Sequence, residues 1–372
     1  SGALATGYLV SAIFIGVGAI AGKRSGLSTS IISRSVFGVW GNSIPLTVSL
    51  ISRVAVTAIM IATFAFLMNG SNANLPSFSN SLTSLAGVNF TVGLVLQIAL
   101  LFVISLLVII RGNVSRIIQV FLSLLAFVLV LESFAVLAIE PYSFNTAGSV
   151  DMFTLAGLAG ISLVVMVNLT LWFALAPNIS KAIPMKVKGI KVFSAVLVAN
   201  FAAPVLVGVA TIFWLGTLSV SAASGDSSIQ AAIQALPVWV QGSLTSGIFI
   251  AILFAAMLSI RTATLDVSAL FRIKARIPAL VIAFILTAGF LLLFAQQPVS
   301  QEVEYLSNFF VLIAALSAGW IGILVADIAV RRLAYHELSL SRSYGLYKKF
   351  NILALLTWVL TLAVAVALIP VN

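Results

Sequence analysis

Two arginines stand where a charge is most costly. Arg53 and Arg261 fall inside long apolar runs, and no other basic residue lies in the interior of one. A charge at such depth usually faces a partner or an aqueous cavity. One reading is that Arg53 faces a cavity and binds an anionic or carbonyl-rich small molecule. The other is structural ion pairing, for example of Arg261 with Asp266. Glu132, Asp266 and Asp327 are the acidic residues within apolar runs, and Asp327 has a ready partner in Arg331 one helical turn on. A second group comprises short polar side chains in the same setting: Asn168 and Thr170, then Ser259 and Thr262. Oxygen groups of this kind suit hard cations. They can equally make hydrogen bonds between helices, worth about 0.6 kcal/mol on average. Trp172 offers a ring face to a flat substrate, or an anchor at a membrane interface.

Much other chemistry is excluded. The chain has no cysteine and a single histidine, His336, so thiolate nucleophiles, disulfides and histidine metal clusters are ruled out. It contains no H-E-x-x-H, G-x-S-x-G or phosphate-binding loop motif, and too few acids for a paired-carboxylate site. No enzyme and no organic cofactor is expected.

The elements that position these residues follow from composition. Of 372 residues, 62% are hydrophobic and 8% charged, against roughly half and a quarter in soluble domains. Lipid must therefore be the solvent for most of the chain. A spanning helix needs about 20 apolar residues. Ten runs qualify, at 2–21, 41–68, 90–110, 117–138, 153–176, 191–219, 239–270, 277–296, 306–330 and 351–370. Period-2 alternation is scarce, which argues against a β-barrel, and the intervening loops read as solvated connectors.

The basic residues then fall into every second loop. Lys23, Arg24 and Arg34 follow the first run, Arg111 and Arg116 the third, and Lys181, Lys186, Lys188 and Lys191 the fifth. Arg272, Lys274 and Arg276 follow the seventh, and Arg331, Arg332, Arg342, Lys348 and Lys349 the ninth. Segments 69–89, 139–152, 220–238 and 297–305 contain no Lys or Arg. The basic loops are expected to be cytoplasmic, in a multi-pass protein of the cell membrane. The net charge of +10 is thus an orientation signal rather than a nucleic-acid footprint. The chain opens at Ser1 on an apolar run, and native residues before it are expected.

Three segments carry a family resemblance. The first loop and the start of the second run hold Gly26, Leu27, Ser33, Arg34, Phe37, Gly38, Gly41, Ile44 and Pro45. A second segment holds Gly319, Gly322, Asp327, Arg331 and Arg332, and a third reads FNILALLTW from Phe350 to Trp358. A weaker fourth is VIIRGNVSRI from Val108 to Ile117. In order and spacing these resemble the nucleobase–cation symporter family, its purine–cytosine permease branch most closely, across the whole chain.

The resemblance implies an all-α integral membrane fold of the leucine-transporter type, with two five-helix repeats of inverted topology and a site at discontinuous helices near the midplane. The ten runs would match the family's second to eleventh helices. Residues 1–372 would then form one transporter domain without the family's first and twelfth, and run 153–176 would be its broken sixth helix. The family's stacking Trp and a following Gln fall on Val56 and Met60, and its substrate-binding Asn falls near Ser268. Its sixth-helix aromatic falls nearer Leu169 than Trp172, and one expected cation-site hydroxyl falls on Ala263. Substrate binding is therefore expected of Arg53, Val56, Met60, Asn168, Trp172 and Ser268, and cation binding of Ser259 and Thr262. The function implied is secondary active transport of a nucleobase or related small nitrogen heterocycle, driven by a proton or sodium gradient. The implied partners are a small-molecule substrate and the lipid bilayer, with no nucleic acid and no obligatory protein. The lost stacking residues leave two alternatives: a non-transporting membrane binding or sensor protein, and a truncated, degenerate permease.

Overall fold

A computed structural model describes residues 2–71, 81–85, 88–110, 120–121, 124–125, 128, 155–218, 238–294, 299–331, 335–341 and 346–367. Its helices are α1 (Gly2–Ser25), α2 (Thr29–Ile32), α3 (Arg34–Phe37), α4 (Ser43–Ser71), α5 (Val92–Ile109), α6 (Leu155–Trp172) and α7 (Leu175–Ser180), then α8 (Gly189–Leu218), α9 (Val238–Leu270), α10 (Arg276–Phe294), α11 (Val299–Val330), α12 (Glu337–Ser341) and α13 (Ile352–Ala367). Eight spans among the described residues are long and apolar enough to cross a membrane, and α13 adds a shorter apolar helix over Ile352–Val364. Large apolar side chains on the outside, such as Phe102, Val103, Leu293 and Leu353, suit a lipid solvent rather than water.

Nine of the ten expected runs thus meet a helix among the described residues. The tenth, 117–138, lies almost wholly outside them, as do Glu132, Arg332 and the last residues of the Val108–Ile117 segment. The loop 69–89 departs from expectation. It is not a plain connector, because strands β1 (Ser81–Leu85) and β2 (Val88–Thr91) pair antiparallel there, Leu85 opposite Val88.

The interior divides into two apolar cores. One joins α1, the α6–α7 region, α11 and α13, around Ile15, Phe173, Trp320 and Trp358. The other joins α4, α5, α9 and α10, around Val54, Ile104, Ile260 and Leu291. A small third cluster, centred on Val56 of α4 with Phe310 and Ala314 of α11, connects α4, α6 and α11.

The three motif segments of the sequence meet at one place, the end of the bundle that carries the basic loops. The Trp320 indole donates to Ser33 Oγ at 2.9 Å, and the Ser35 hydroxyl donates to Asp327 at 3.4 Å. Asn351 donates through its side chain to Val36 O at 2.7 Å and through its backbone to Phe37 O at 3.0 Å. Arg34 donates to Leu340 O and Ala269 O, both at 2.9 Å. Gly38 must be glycine on two counts. Its φ is +90°, and a Cβ there would lie 2.6 Å from Lys349 O. The backbone seam of Val39, Trp40 and Gly41 against Lys348 and Lys349 needs that close approach. Asp327 and Arg331 form the expected ion pair, at 2.7 Å.

Candidate functional site: a broken helix held by side chains

Helix α6 stops at Trp172, residues 173–174 form a turn, and α7 resumes at Leu175. Pro177 accounts for part of this. It sits in the first turn of α7, where a proline ring is tolerated, but it has no N–H for the carbonyl of Phe173. Carbonyls freed at such a break need donors from elsewhere. Two side chains supply them. Arg53 of α4 donates through Nη1 to Leu171 O at 2.8 Å, and Thr29 of α2 donates through Oγ1 to Ala174 O at 2.7 Å. Asn178 in turn accepts from the backbone N–H of Thr29 at 3.1 Å. On the other side, Ser180 Oγ donates to Ala19 O at 2.7 Å. There Gly22 lets α1 approach so closely that a Cβ would meet Pro177 Cα at 2.4 Å. The basic-end half of the broken helix is thus clasped by α1 and α2, and its other edge is held by α4.

Arg53 is the centre of this arrangement. It is 2% exposed, and its Nε has no hydrogen-bond partner. Its backbone carbonyl accepts from Ser259 Oγ of α9 at 3.0 Å and from Thr57 Oγ1 at 2.8 Å. Asp266 of α9, also 2% exposed, accepts from Ser49 Oγ of α4 at 2.9 Å and feels the Arg53 charge. Thus α4 and α9 face each other through one buried base and one buried acid. The pairing of Arg261 with Asp266 suggested by the sequence does not form. Five residues on a helix separate two side chains by about 140°, so Arg261 turns to the exposed side while Asp266 is buried. Arg261 instead lies near Lys181; burial first and then this neighbour push the Lys181 ammonium below its ordinary value.

The other expected site residues separate into groups. Val56 and Met60 come together with Phe310, Ala314, Met166, Val167 and Leu171. Apolar side chains, the Phe310 ring among them, therefore fill the level at which a stacking ring was expected of α4. Asn168 faces α1, donating to Ser11 Oγ at 2.7 Å. Trp172 is half-buried against the core that contains Phe173 and Trp320. Thr262 donates to Leu258 O at 3.0 Å and Ser268 to Thr264 O at 2.8 Å, each one turn back in its own helix. Ser259 and Thr262 are both buried on α9, and Ser259 is the one that reaches α4.

Sequence reasoning missed the roles of Thr29 and Ser49, which lie in and just after a basic loop. It did not single out Ser52 or Ser317, and for Thr170 it favoured a hydrogen bond between helices, which does not form. All three hydroxyls are buried without a hydrogen-bond partner. The available signal was their position, one turn from apolar residues on helices that must converge on the break.

Comparison with known proteins agrees with this fold. Residues 3–372 match the family described as "Permease for cytosine/purines, uracil, thiamine, allantoin". No curated protein matches the sequence. Among solved structures, the fold is similar to Mhp1, a nucleobase-cation-symport-1 family transporter, in a closed conformation with bromovinylhydantoin bound. The TM-score is 0.55 and the identity 15%, over 98% of this chain and 83% of that one. The inward-facing conformation of Mhp1 gives 0.60 at 15% identity, over 98% and 81%. A mutant of the manganese transporter from Eremococcus coleocola gives 0.59 at 12% identity, over 98% and 78%.

Proposed function

The chain belongs to the permease family for cytosine/purines, uracil, thiamine and allantoin, and from that premise we propose that it carries a nucleobase or related small nitrogen heterocycle across the cell membrane by alternating access, driven by a proton or sodium gradient. Membership makes it a multi-pass membrane transporter of the leucine-transporter-type fold, and not an enzyme. The substrate class, the driving ion and the orientation with basic loops in the cytoplasm are our reading, as is a single transporter domain over residues 1–372.

The observation that carries it is the side-chain support of the break between α6 and α7. A continuous helix has no main-chain carbonyls to offer a substrate or ion, whereas a break does. Here the break's carbonyls are held by Arg53 from α4 and Thr29 from α2. Those contacts can be exchanged when one helix group moves against the other, which is the motion alternating access needs. Ser259, which reaches Arg53 from α9, and Thr262 remain the candidate cation ligands.

The test is uptake into proteoliposomes that contain the purified protein. Labelled uracil, cytosine, adenine, allantoin and thiamine would each be offered under a proton gradient, a sodium gradient and neither. Saturable accumulation of at least one compound that collapses with its gradient is expected. Absence of gradient-driven uptake for all five would overturn the proposal.

A further inference from the structure

We infer that the substrate compartment is a polar layer made by Ser52 and Arg53 of α4, Thr170 of α6 and Ser317 of α11, set at the junction of two apolar clusters and selective for neutral, carbonyl-rich rings. This rests on the transporter reading above.

The first observation is a contrast among buried hydroxyls. A Ser or Thr in a helix commonly donates to the carbonyl one turn back. Thr57, Ser105, Thr262, Thr264 and Thr287 are buried and all do so. Ser52, Thr170 and Ser317 are buried to the same degree, at most 2% exposed. Their oxygens nevertheless have no partner, and neither does Arg53 Nε. An orphaned polar atom in an apolar interior carries an uncompensated desolvation penalty. Four of them on helices that pack together form a set a ligand could satisfy.

The second observation is their common level. On α11, Phe310 and Ala314 lie in the cluster toward the far end of the bundle, and Trp320 and Ile321 in the core toward the basic end. Ser317 is one turn from Ala314 on one side and from Trp320 and Ile321 on the other. On α6 the two clusters interleave, Val165, Leu169 and Phe173 belonging to the basic-end core and Met166, Val167 and Leu171 to the far cluster, and Thr170 sits where they meet. On α4, Val56 is in the far cluster and Val48 packs against the basic-end core, with Ser52 midway. These spacings of three and four residues put each hydroxyl on the same face as its apolar neighbours. Three helices, running in both directions, therefore place a polar group at the junction of the two apolar clusters. A substrate held there is surrounded by apolar side chains of both.

The third observation sets the chemistry. Arg53 is anchored through Nη1 to Leu171 O, so its Nε–H stays a fixed donor. No carboxylate belongs to the layer; Asp266 accepts from Ser49, a turn nearer the basic end of α4. One fixed cationic donor with three hydroxyls, which donate or accept, matches ring carbonyls and imide N–H groups. It repels a cation. Val56, Ala314 and the ring of Phe310 supply apolar walls.

The experiment measures ligand-induced thermal stabilisation of the purified full chain in detergent, with uracil, allantoin, cytosine, adenine and thiamine, alongside gradient-driven uptake of the same compounds. Uracil or allantoin is expected to stabilise the protein most, and thiamine least. Ser52→Ala, Thr170→Val and Ser317→Ala are each expected to weaken binding of the preferred compound at least 5-fold. The melting temperature of the ligand-free protein should stay unchanged or rise, because an orphaned hydroxyl is removed. Wild-type affinity in all three variants would overturn the layer while leaving the transporter reading intact. So would a lower ligand-free melting temperature in all three, which would show that the hydroxyls already have partners. A preference for thiamine or adenine would overturn the selectivity and with it the inference. Failure of all five compounds both to bind and to be taken up would overturn this inference together with the transport proposal.

Discussion

The guanidinium of Arg53 on α4 donates to the main-chain carbonyl of Leu171, at 2.8 Å, where helix α6 ends. A charged side chain thus completes the hydrogen bonding of another helix's backbone. This explains why an arginine is tolerated at a depth where charge is expensive. It serves a carbonyl that the break leaves open, and the acid of the facing helix, Asp266, lies near enough for the charges to attract. Arg53→Met removes the donor and the charge while keeping most of the side-chain volume. Leaving the Leu171 carbonyl unsatisfied should cost about 1–3 kcal/mol, and gradient-driven uptake should fall to background. Arg53→Lys should recover part of the stability, since an ammonium can reach one carbonyl but lacks the planar fork. Thermal unfolding in detergent and proteoliposome uptake check both.

Thr29 does for Ala174 what Arg53 does for Leu171, from the opposite flank and without charge. Thr29→Val is nearly isosteric and removes only the hydroxyl. A net loss of about 1 kcal/mol is expected, rising if the Ala174 carbonyl finds no substitute donor. Thr29→Ser should behave like the wild type. If Val and Ser variants have equal melting temperatures and equal uptake, the hydrogen bond to the break has no role.

Much of this was legible in the sequence. Nine of the ten apolar runs meet helices among the described residues, because lipid demands long uninterrupted hydrophobicity, a coarse signal that survives errors at the ends. The clasp at the basic end was visible as motifs: Gly38, Asn351 and Trp320 lie far apart in the chain, yet each sits where backbone approach or a hydrogen bond requires that residue type. The break itself was expected on resemblance and is marked by Pro177. Side-chain partners were not legible. Asn168 and Trp172 are as polar or aromatic as a ligand contact would be, but which way they turn depends on helix rotation. Hydropathy hardly constrains rotation when both faces of a helix are apolar. Arg261 and Asp266 show the same limit. They are close in sequence and opposite in charge, and the helical turn sends them to different surroundings.

Glycine substitutions separate conformation from space at the basic end. Gly26 has φ +68° with nothing within 4 Å of a built Cβ, while Gly38 has φ +90° with Lys349 O at 2.6 Å. Gly26→Ala should cost only the left-handed backbone term, about 1–2 kcal/mol, and leave a folded, active protein. Gly38→Ala adds a clash with main chain that cannot step aside, and it should disrupt the seam between Val39–Gly41 and Lys348–Lys349. The expected result is little or no monodisperse protein on size-exclusion chromatography for Gly38→Ala, and a normal profile with a lower melting temperature for Gly26→Ala.

Arg53 and Asp266 should prove energetically coupled although each has its own hydrogen-bond partner, Leu171 O for one and Ser49 Oγ for the other. Both side chains are buried, so solvent screens their charges little, and removing either one leaves the other as an uncompensated charge in an apolar interior. Asp266→Asn keeps an oxygen for Ser49 while deleting the charge, which isolates the electrostatic part. In a double-mutant cycle with Arg53→Met, the doubly substituted protein should be less destabilised than the sum of the single losses. A coupling of about 0.5–3 kcal/mol is expected for residues sharing one network. Additive losses would mean that α4 and α9 are joined here by packing and by the Ser259–Arg53 and Ser49–Asp266 hydrogen bonds, and that the charge on Asp266 has no part in holding Arg53 against the broken helix.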